Sequence, residues 1–433
     1  MQKLCPLDLF LEICKIPHSS RDAKLLKEWI IQKAHEFGAE VKEDKAGNVL
    51  CSKGSPKICL QGHYDMVYVG DNPFKIEPYF FTKEGKEWLG AKDSSLGADN
   101  GVAVACMLVA LKESSHIECL FSADEEVGME GARDCELEIL SPFILNCDSE
   151  DISEIVLSCA GGYDLIASQE FSKKALEGEW NFFRVQTQNF KGGHSGVDIH
   201  KNIPNAIIEL AKMIATNHGE IIEFSGGEKR NSIPVNASAL VAFKQDLKEL
   251  KFDVNSFKVE QIKSMPKQAY AIQSLMEVIL KMPLGVLQSE EGNVVLSSNL
   301  GKVRQEGDKF TLVFMDRGNK EEEMRKLLEK KQNVLEQLGF ISDVQDFYPP
   351  WEREEGEFVT KVAKVYREHN AQAHIKSIHA GLECGILKQK FPHKSFVSIG
   401  PTILCPHSKR EHLDVTSFWK FWEILKGILK EFS

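Results

Sequence analysis

"GADNGVAVACMLVALKESSHIECLFSADEE", residues 97–126, is the stretch on which the fold turns. An Asp-Asn-Gly turn opens into the uncharged run Gly101–Leu111. That run falls well short of the ~20 residues a bilayer span needs, and being apolar on every side it suits a buried helix. After the polar residues 112–116, "IECLFSA" is a compact apolar segment of strand length. It empties into Asp124, Glu125 and Glu126, three like charges that repel one another. Taken alone they are a solvated turn; the other explanation is that a strong positive charge sits beside them.

Working outward, residues 23–37 place apolar side chains at helical spacing, which predicts an amphipathic helix. "NVLCSKG" (48–54) and "KICLQGH" (57–63) read as short strands with Gly and Pro between them, and "PFILNCD" (142–148) as another strand ending in an acid. Strands alternating with helices indicate an α/β domain with a central sheet flanked by helices, whose sites form where the strands run out.

The texture changes near residue 180. "WNFFRVQTQNF" alternates like a half-exposed strand, and "NIPNAIIELAKMIATN" follows as a helix. "LVAFKQDL" and "KFTLVFMD" are further alternating strands. "KEEEMRKLLEKKQNVLEQLGF" is a charged helix with an apolar stripe at Met324, Leu327, Leu328, Val334 and Leu338. After "YPPWE" the α/β pattern returns, with a helix over 357–369, the strand "SFVSIGP" and a closing helix "SFWKFWEILKGILKEF". The expected division is 1–184 and 351–433 as two parts of one α/β domain, with an α+β domain inserted over 185–350. A chain of 433 residues agrees with two domains rather than one.

Bulk numbers narrow the function classes. The formal charge, 53 − 64 = −11, argues against nucleic acid or an anionic membrane as the main partner. The N-terminus "MQKLCPLDLFLEICKIP" shows no export signal, and eleven cysteines without a C-x-x-C pair fit reduced thiols. The expected compartment is the cytoplasm, with most cysteines serving as small core residues.

Metal-capable residues recur at the predicted strand ends: His63 and Asp65, Asp99, Glu125 and Glu126, Asp148, and His407 in "CPHSKREH". Imidazoles and carboxylates converging on one sheet edge are the ligands of borderline divalent ions such as Zn2+. One ion takes about four ligands, so the set exceeds a single closed site. With one bridging carboxylate, about five groups serve two ions and leave room for a water that the pair would acidify to a bridging hydroxide. One of the adjacent glutamates would then bind metal, while its neighbour points at that water as general base. Neighbouring side chains of an extended segment diverge, so the two hardly share one task. Each motif alone is bland: His-x-Asp is ordinarily structural and "GADNG" a helix-capping turn. Their common placement at strand termini carries the reading. His412, five residues after His407, is a second candidate for the same ligand position.

The wording of these motifs is also familiar. "LQGHYDMV", "LGADNGVAVA", "SADEEVGMEGA", "ILNCDSED", "KGGHSGVDIHK", "KRNSIP", "HAGLECGIL" and "IGPTI…PHS" closely resemble the aminoacyl-histidine dipeptidases (peptidase D). These belong to the two-zinc peptidase family that also holds carnosinase and carboxypeptidase G. The similarity runs from about Leu7 to Ile428. It implies His63 and Asp148 on one zinc, Glu126 and His407 on the other, and Asp99 bridging. It favours His407 over His412. Asp65 would orient His63 from behind, and Glu125 would be the general base. The inserted segment would be a lid: His194 stabilises the oxyanion, Asn231 and Arg317 hold substrate carbonyl and carboxylate, and Gly381 offers a backbone amide. Without the resemblance, Arg317 reads as a surface charge and "GGHSG" as a hairpin turn.

The resemblance implies hydrolysis of short peptides, Xaa-His dipeptides such as β-alanyl-histidine above all, by a homodimer joined through the lid. Two divalent cations are expected per subunit, Zn2+ first, with Mn2+ or Co2+ as alternatives. Rival readings are a tripeptide aminopeptidase or an N-acyl amino acid amidohydrolase on the same site. A non-catalytic binding protein would be marked by loss of Glu125 or of a ligand, and none is missing. Two departures stand out. Gly318-Asn319 follows Arg317 where small hydroxyl residues are more usual, and residues 240–275 are compact for such a lid.

Overall fold

The run Gly101–Leu111 lies within the helix Ala98–Glu113, where every residue from Ala98 to Leu111 is buried. Its small and aliphatic residues let strands and neighbouring helices close on it from all sides. This is seen in a computed structural model that describes residues 4–432 apart from 72, 264, 291 and 370–372.

Eight strands form one sheet, in the order Glu40–Glu43, Val49–Lys53, Ile117–Ser122, Ile58–His63, Phe143–Asn146, Ser395–Ser398, Glu154–Cys159 and His374–Ile378. The four central strands, from Ile117–Ser122 to Ser395–Ser398, are parallel. Their carboxyl ends therefore share one edge, where open α/β sheets bind ligands. Ile117–Ser122 and Ile58–His63 are buried at every position, as strands covered on both faces are. The core draws on Ala98–Glu113 on all its sides, and on an apolar stripe from each of Lys24–Glu36, Glu357–Glu368 and Val415–Glu431.

The chain divides into two compact units. The first holds residues through Cys159 with Trp351–Ser377 and the chain from Leu382 onward; the second holds Ala160–Pro350 and Ile378–Gly381. The first crossing thus falls earlier than residue 184, which lies inside the strand Asn181–Thr187. The reason is Gly161–Glu170, which bonds along its length to Lys309–Gly318 and Ile341–Tyr348. A strand belongs with the sheet that satisfies its amides.

The second unit is built on a sheet in the order Phe257–Ile262, Asn181–Thr187, Ala237–Phe243, Glu220–Gly226, Asn293–Glu306, Lys309–Gly318, Gly161–Glu170, Ile341–Tyr348, with Gly285–Glu290 added on Asn293–Glu306. The hydrogen-bonded pairs are antiparallel. Ala237–Phe243 does not alternate as expected: Ala239 to Phe243 are all buried. Val241 and Phe243 enter the unit's main core, while Ala242 joins a small cluster with Leu176, Phe182 and Ala269. The strand is covered on both faces.

The helix Glu321–Gln337 also departs from its expected stripe. Met324, Leu327, Lys331 and Leu335 are its buried residues, with Leu328, Val334 and Leu338 only partly covered. Lys331 is fully buried; its Nζ lies 2.8 Å from both Asp316 carboxylate oxygens and 2.9 Å from Ser298 Oγ. Helical spacing scores a lysine as outward-facing and has no means of finding its partner. Removing one member of a buried pair strands the other's charge, so Lys331→Met is expected to destabilise the protein by about 3–5 kcal/mol. Urea unfolding measures this, and adding Asp316→Asn should recover part of the loss.

All eleven cysteines are free and nine are buried, which accords with core packing. Among the described residues, no helix is long and apolar enough to cross a membrane.

Candidate metal centre

The residues singled out at strand ends converge on the carboxyl edge of the first unit's sheet. His63 closes the strand Ile58–His63 and is buried. Its Nδ1 lies 2.9 Å from the Asp65 carbonyl oxygen. A carbonyl only accepts, so in the neutral ring the proton sits on Nδ1 and Nε2 carries the lone pair. That nitrogen faces Asp99 Oδ1 at 3.2 Å and Asp148 Oδ1 at 3.3 Å. A lone pair set against two carboxylate oxygens is tolerable only with a cation among them, whether a proton or a metal ion.

The second half mirrors the first. Asp99 Oδ2 lies 3.1 Å from His407 Nε2, which is 2.7 Å from Glu126 Oε1. Three sets place ligand atoms within 4.8 Å of one another: His63, Asp99 and Asp148; Asp99, Glu126 and His407; and His63, Glu125 and Glu126. Asp99 joins the first two, giving one oxygen to each.

Electrostatics point the same way. Burial, then the charge of Glu126, pushes the Glu125 carboxyl well above its ordinary range. Glu126 is raised by burial and then by Asp99. Burial alone would lower both imidazoles. The charge and hydrogen bond of Asp148 nevertheless hold His63 well up, and bonds to Asp99 and Glu126 lift His407 to about 11. Two imidazoles scavenging protons among acids is how a cation site behaves when protons stand in for the cation. The donor set, two imidazole nitrogens and three carboxylates, fits divalent ions of the Zn2+ type.

The three acids of the opening stretch part ways. Asp124 adopts a left-handed backbone (φ 50°) and accepts the Arg21 amide, away from the cluster. Asp65 holds the other two. Its carboxylate accepts the backbone N–H of Glu125 at 3.0 Å and of Glu126 at 3.4 Å, while standing 3.5 Å from His63 Nδ1. Its carbonyl orients the imidazole, and its carboxylate fixes the acidic turn. His412 lies elsewhere, edge-on to Trp88 at 4.7 Å with Nδ1 on the Arg410 carbonyl.

Three participants went unseen in the sequence. Asn100 donates to Asp148 Oδ1 at 2.7 Å and to the Cys147 carbonyl at 3.0 Å. Asp99 and Asn100 are non-helical within their helix and place their side chains in the centre, so "GADNG" is more than a cap. Glu411 is 4 % exposed and accepts four backbone amides, from Leu96 to Asp99, at 2.7–3.3 Å. In "SKREH" it is indistinguishable from a solvated charge. Glu383, at the start of the helix Glu383–Lys390, is fully buried and accepts from Gln61 and Ser122.

The remaining expected residues lie in the second unit. His194 sits in the two-residue strand Gly193–His194, paired with Ser232–Ile233. Its Nδ1 accepts the Val197 amide at 3.0 Å, so Nε2 carries the proton and is a donor. Asn231 is adjacent, its carbonyl accepting the Ser195 amide at 2.9 Å. Arg317 is only 4 % exposed, donates to the Tyr348 hydroxyl and leaves Nε buried without a hydrogen bond. The surface-charge reading of Arg317 is therefore wrong. The residues after it have reasons: a Cβ on Gly318 would lie 2.5 Å from Met324 Cγ, and Asn319 Oδ1 accepts from His379 Nδ1 at 3.1 Å. Gly381 belongs to the Ile378–Gly381 segment of the same unit.

Residues 59–431 match the family described as peptidase family M20/M25/M40. The chain belongs to this family. It is 31% identical to the cytosol non-specific dipeptidase of Escherichia coli (strain K12), over 98% of this chain and 96% of that protein. The crystal structure of the aminoacylhistidine dipeptidase from Vibrio alginolyticus superposes with a TM-score of 0.79 at 30% identity, covering 99% of this chain and 96% of that one. A tripeptidase from Staphylococcus aureus shares the fold at a TM-score of 0.64, with 18% identity over 98% and 97% of the two chains. As an M20 member with dipeptidase relatives at this similarity, the protein is a peptide-bond hydrolase dependent on divalent metal.

Proposed function

We propose that this M20 peptidase is a cytoplasmic dipeptidase working with two divalent cations, Zn2+ in the first place. The observation that carries this reading is the division of Asp99, one carboxylate oxygen toward His63 and Asp148, the other toward Glu126 and His407. His63 and Asp148 would hold one ion, Glu126 and His407 the other, with Asp99 shared. Such ions supply Lewis-acid polarisation of the scissile carbonyl and a hydroxide source near neutral pH.

Glu125 takes the proton from the attacking water and returns it to the leaving amine. Its burial beside Glu126 raises its proton affinity toward that task. The Asp65 carboxylate keeps it in place by accepting the Glu125 backbone N–H. The second unit acts as a lid: His194, its Nε2 protonated, stabilises the oxyanion, Asn231 and Arg317 take the substrate carbonyl and carboxylate, and Gly381 adds an amide. A buried guanidinium with an unused Nε suits a carboxylate ligand. A homodimer joined through this unit follows from the same reading.

Short dipeptides, Xaa-His among them, are the proposed substrates. The relatives at 30–31% identity are dipeptidases by name, against a tripeptidase at 18%. The test is a panel of dipeptides, tripeptides and N-acyl amino acids, assayed before and after chelation. Turnover should vanish with chelator and return with Zn2+ or Mn2+, and β-alanyl-histidine should be cleaved. Preference for N-acyl amino acids, or activity indifferent to chelation, overturns the proposal.

A further inference from the structure

Beneath the ligands, the sheet carries a row of buried polar side chains that the mechanism does not use. Gln61, Asn146 and Ser398 stand opposite one another on three adjacent parallel strands. Gln61 and Asn146 lie two residues before His63 and Asp148, hence on the same face and one step into the sheet. Ser122, opposite His63 on the next strand, ends the segment that leads to Glu125.

The hydrogen bonds of this row all run one way. Ser149 and Ser398 hydroxyls are 2.9 Å apart, Ser398 donates to Asn146 Oδ1, and Asn146 donates to Gln61 Oε1 at 2.6 Å. Gln61 donates to Ser122 Oγ at 3.0 Å and to Glu383 Oε2, and Ser122 donates to Glu383 Oε2 at 2.7 Å. Glu383 is the acceptor on which the row ends. Gln61, Ser122, Asn146, Ser398 and Glu383 are all at most 1 % exposed, so nothing in solvent replaces a lost bond. The other oxygen of Glu383, Oε1, is buried without a hydrogen bond.

We propose that Glu383 is a positioning residue for the peptidase reaction: as the common acceptor for Gln61 and Ser122, it fixes the ends of the two strands that deliver His63 and the Glu125–Glu126 turn. This rests on the metallopeptidase reading of the same site. Burial pushes its carboxyl up to about 7, so near neutral pH it is partly protonated. A neutral carboxyl in that state still accepts both bonds through Oε2. Glutamine reproduces its shape, with the amide carbonyl as acceptor; alanine does not.

The test compares Glu383→Ala, Glu383→Gln and Ser122→Ala in the full chain, by steady-state kinetics and by titration with Co2+ followed in the visible absorption spectrum. Glu383→Ala should lower kcat by about 10–100-fold with KM within about twofold, and should weaken or reshape the Co2+ spectrum. Glu383→Gln should restore most of both. Ser122→Ala, which changes little volume, should shift kcat and spectrum in the same direction, and stands in if Glu383→Ala does not fold. A folded Glu383→Ala with wild-type kcat and spectrum overturns the inference, as does Glu383→Gln as inactive as alanine, which would make the acid a direct reactant. A wild-type protein without metal-dependent turnover sinks the underlying reading instead, so the two failures are told apart.

Discussion

Glu125→Gln is expected to lower kcat by about 10²–10⁴-fold while leaving the metal content unchanged. Glutamine keeps the size and the hydrogen-bonding plane of the side chain but cannot take a proton at neutral pH. The backbone amide of residue 125 still donates to Asp65, so the turn keeps its shape. Substrate contacts proposed for the second unit are untouched, and KM should move little. The measurement pairs steady-state kinetics with elemental analysis of the same preparation. Glu125 also stands in a ligand-capable set with His63 and Glu126. If the glutamine variant loses an ion, Glu125 is a ligand and the base lies elsewhere; if it keeps most of its rate, no base acts at that position.

Asp99→Ala should be worse, and differently so. Both ligand sets fall from three residues to two at once, because each uses one of its oxygens. The loss of ion affinity should exceed the 10–100-fold typical of changes behind the ligands, and activity should fall below detection at ordinary metal concentrations. The variant should nonetheless fold, since Glu411 grips the backbone amides of Leu96–Asp99 rather than the Asp99 side chain. Binding isotherms for Zn2+ or Co2+ read the effect directly. A variant that still takes up two equivalents would remove Asp99 from the shared position.

The parts of this molecule that were legible from the chain alone share a physical cause. Ile58–His63, Ile117–Ser122 and Phe143–Asn146 are short continuous apolar runs because they are parallel strands buried on both faces. A polar residue at the end of such a run stands out, which is why the chain alone points to His63, Glu125, Glu126 and Asp148. Buried polar groups inside a run do not stand out. Gln61, Asn146 and Glu383 find partners up to hundreds of residues away, and periodicity carries no record of a partner. The burial of Lys331 leaves no trace in the chain for the same reason, and without the family resemblance Arg317 reads as a surface charge because a lone cation ordinarily belongs there. The second unit starts at Ala160 rather than 185 because of Gly161–Glu170, whose sequence looks like any buried strand and whose pairing alone shows which sheet it joins.

The order of the central strands bears on how the protein is made. Ser395–Ser398 lies between Phe143–Asn146 and Glu154–Cys159, two strands synthesised some 240 residues earlier. A nascent polypeptide that has reached residue 390 has emitted His63, Asp99 and Asp148, yet its sheet still has an unfilled slot and His407 has not left the ribosome. Synthesis must pass residue 407 before the ligand set is whole, so chains truncated ahead of it cannot carry the complete centre.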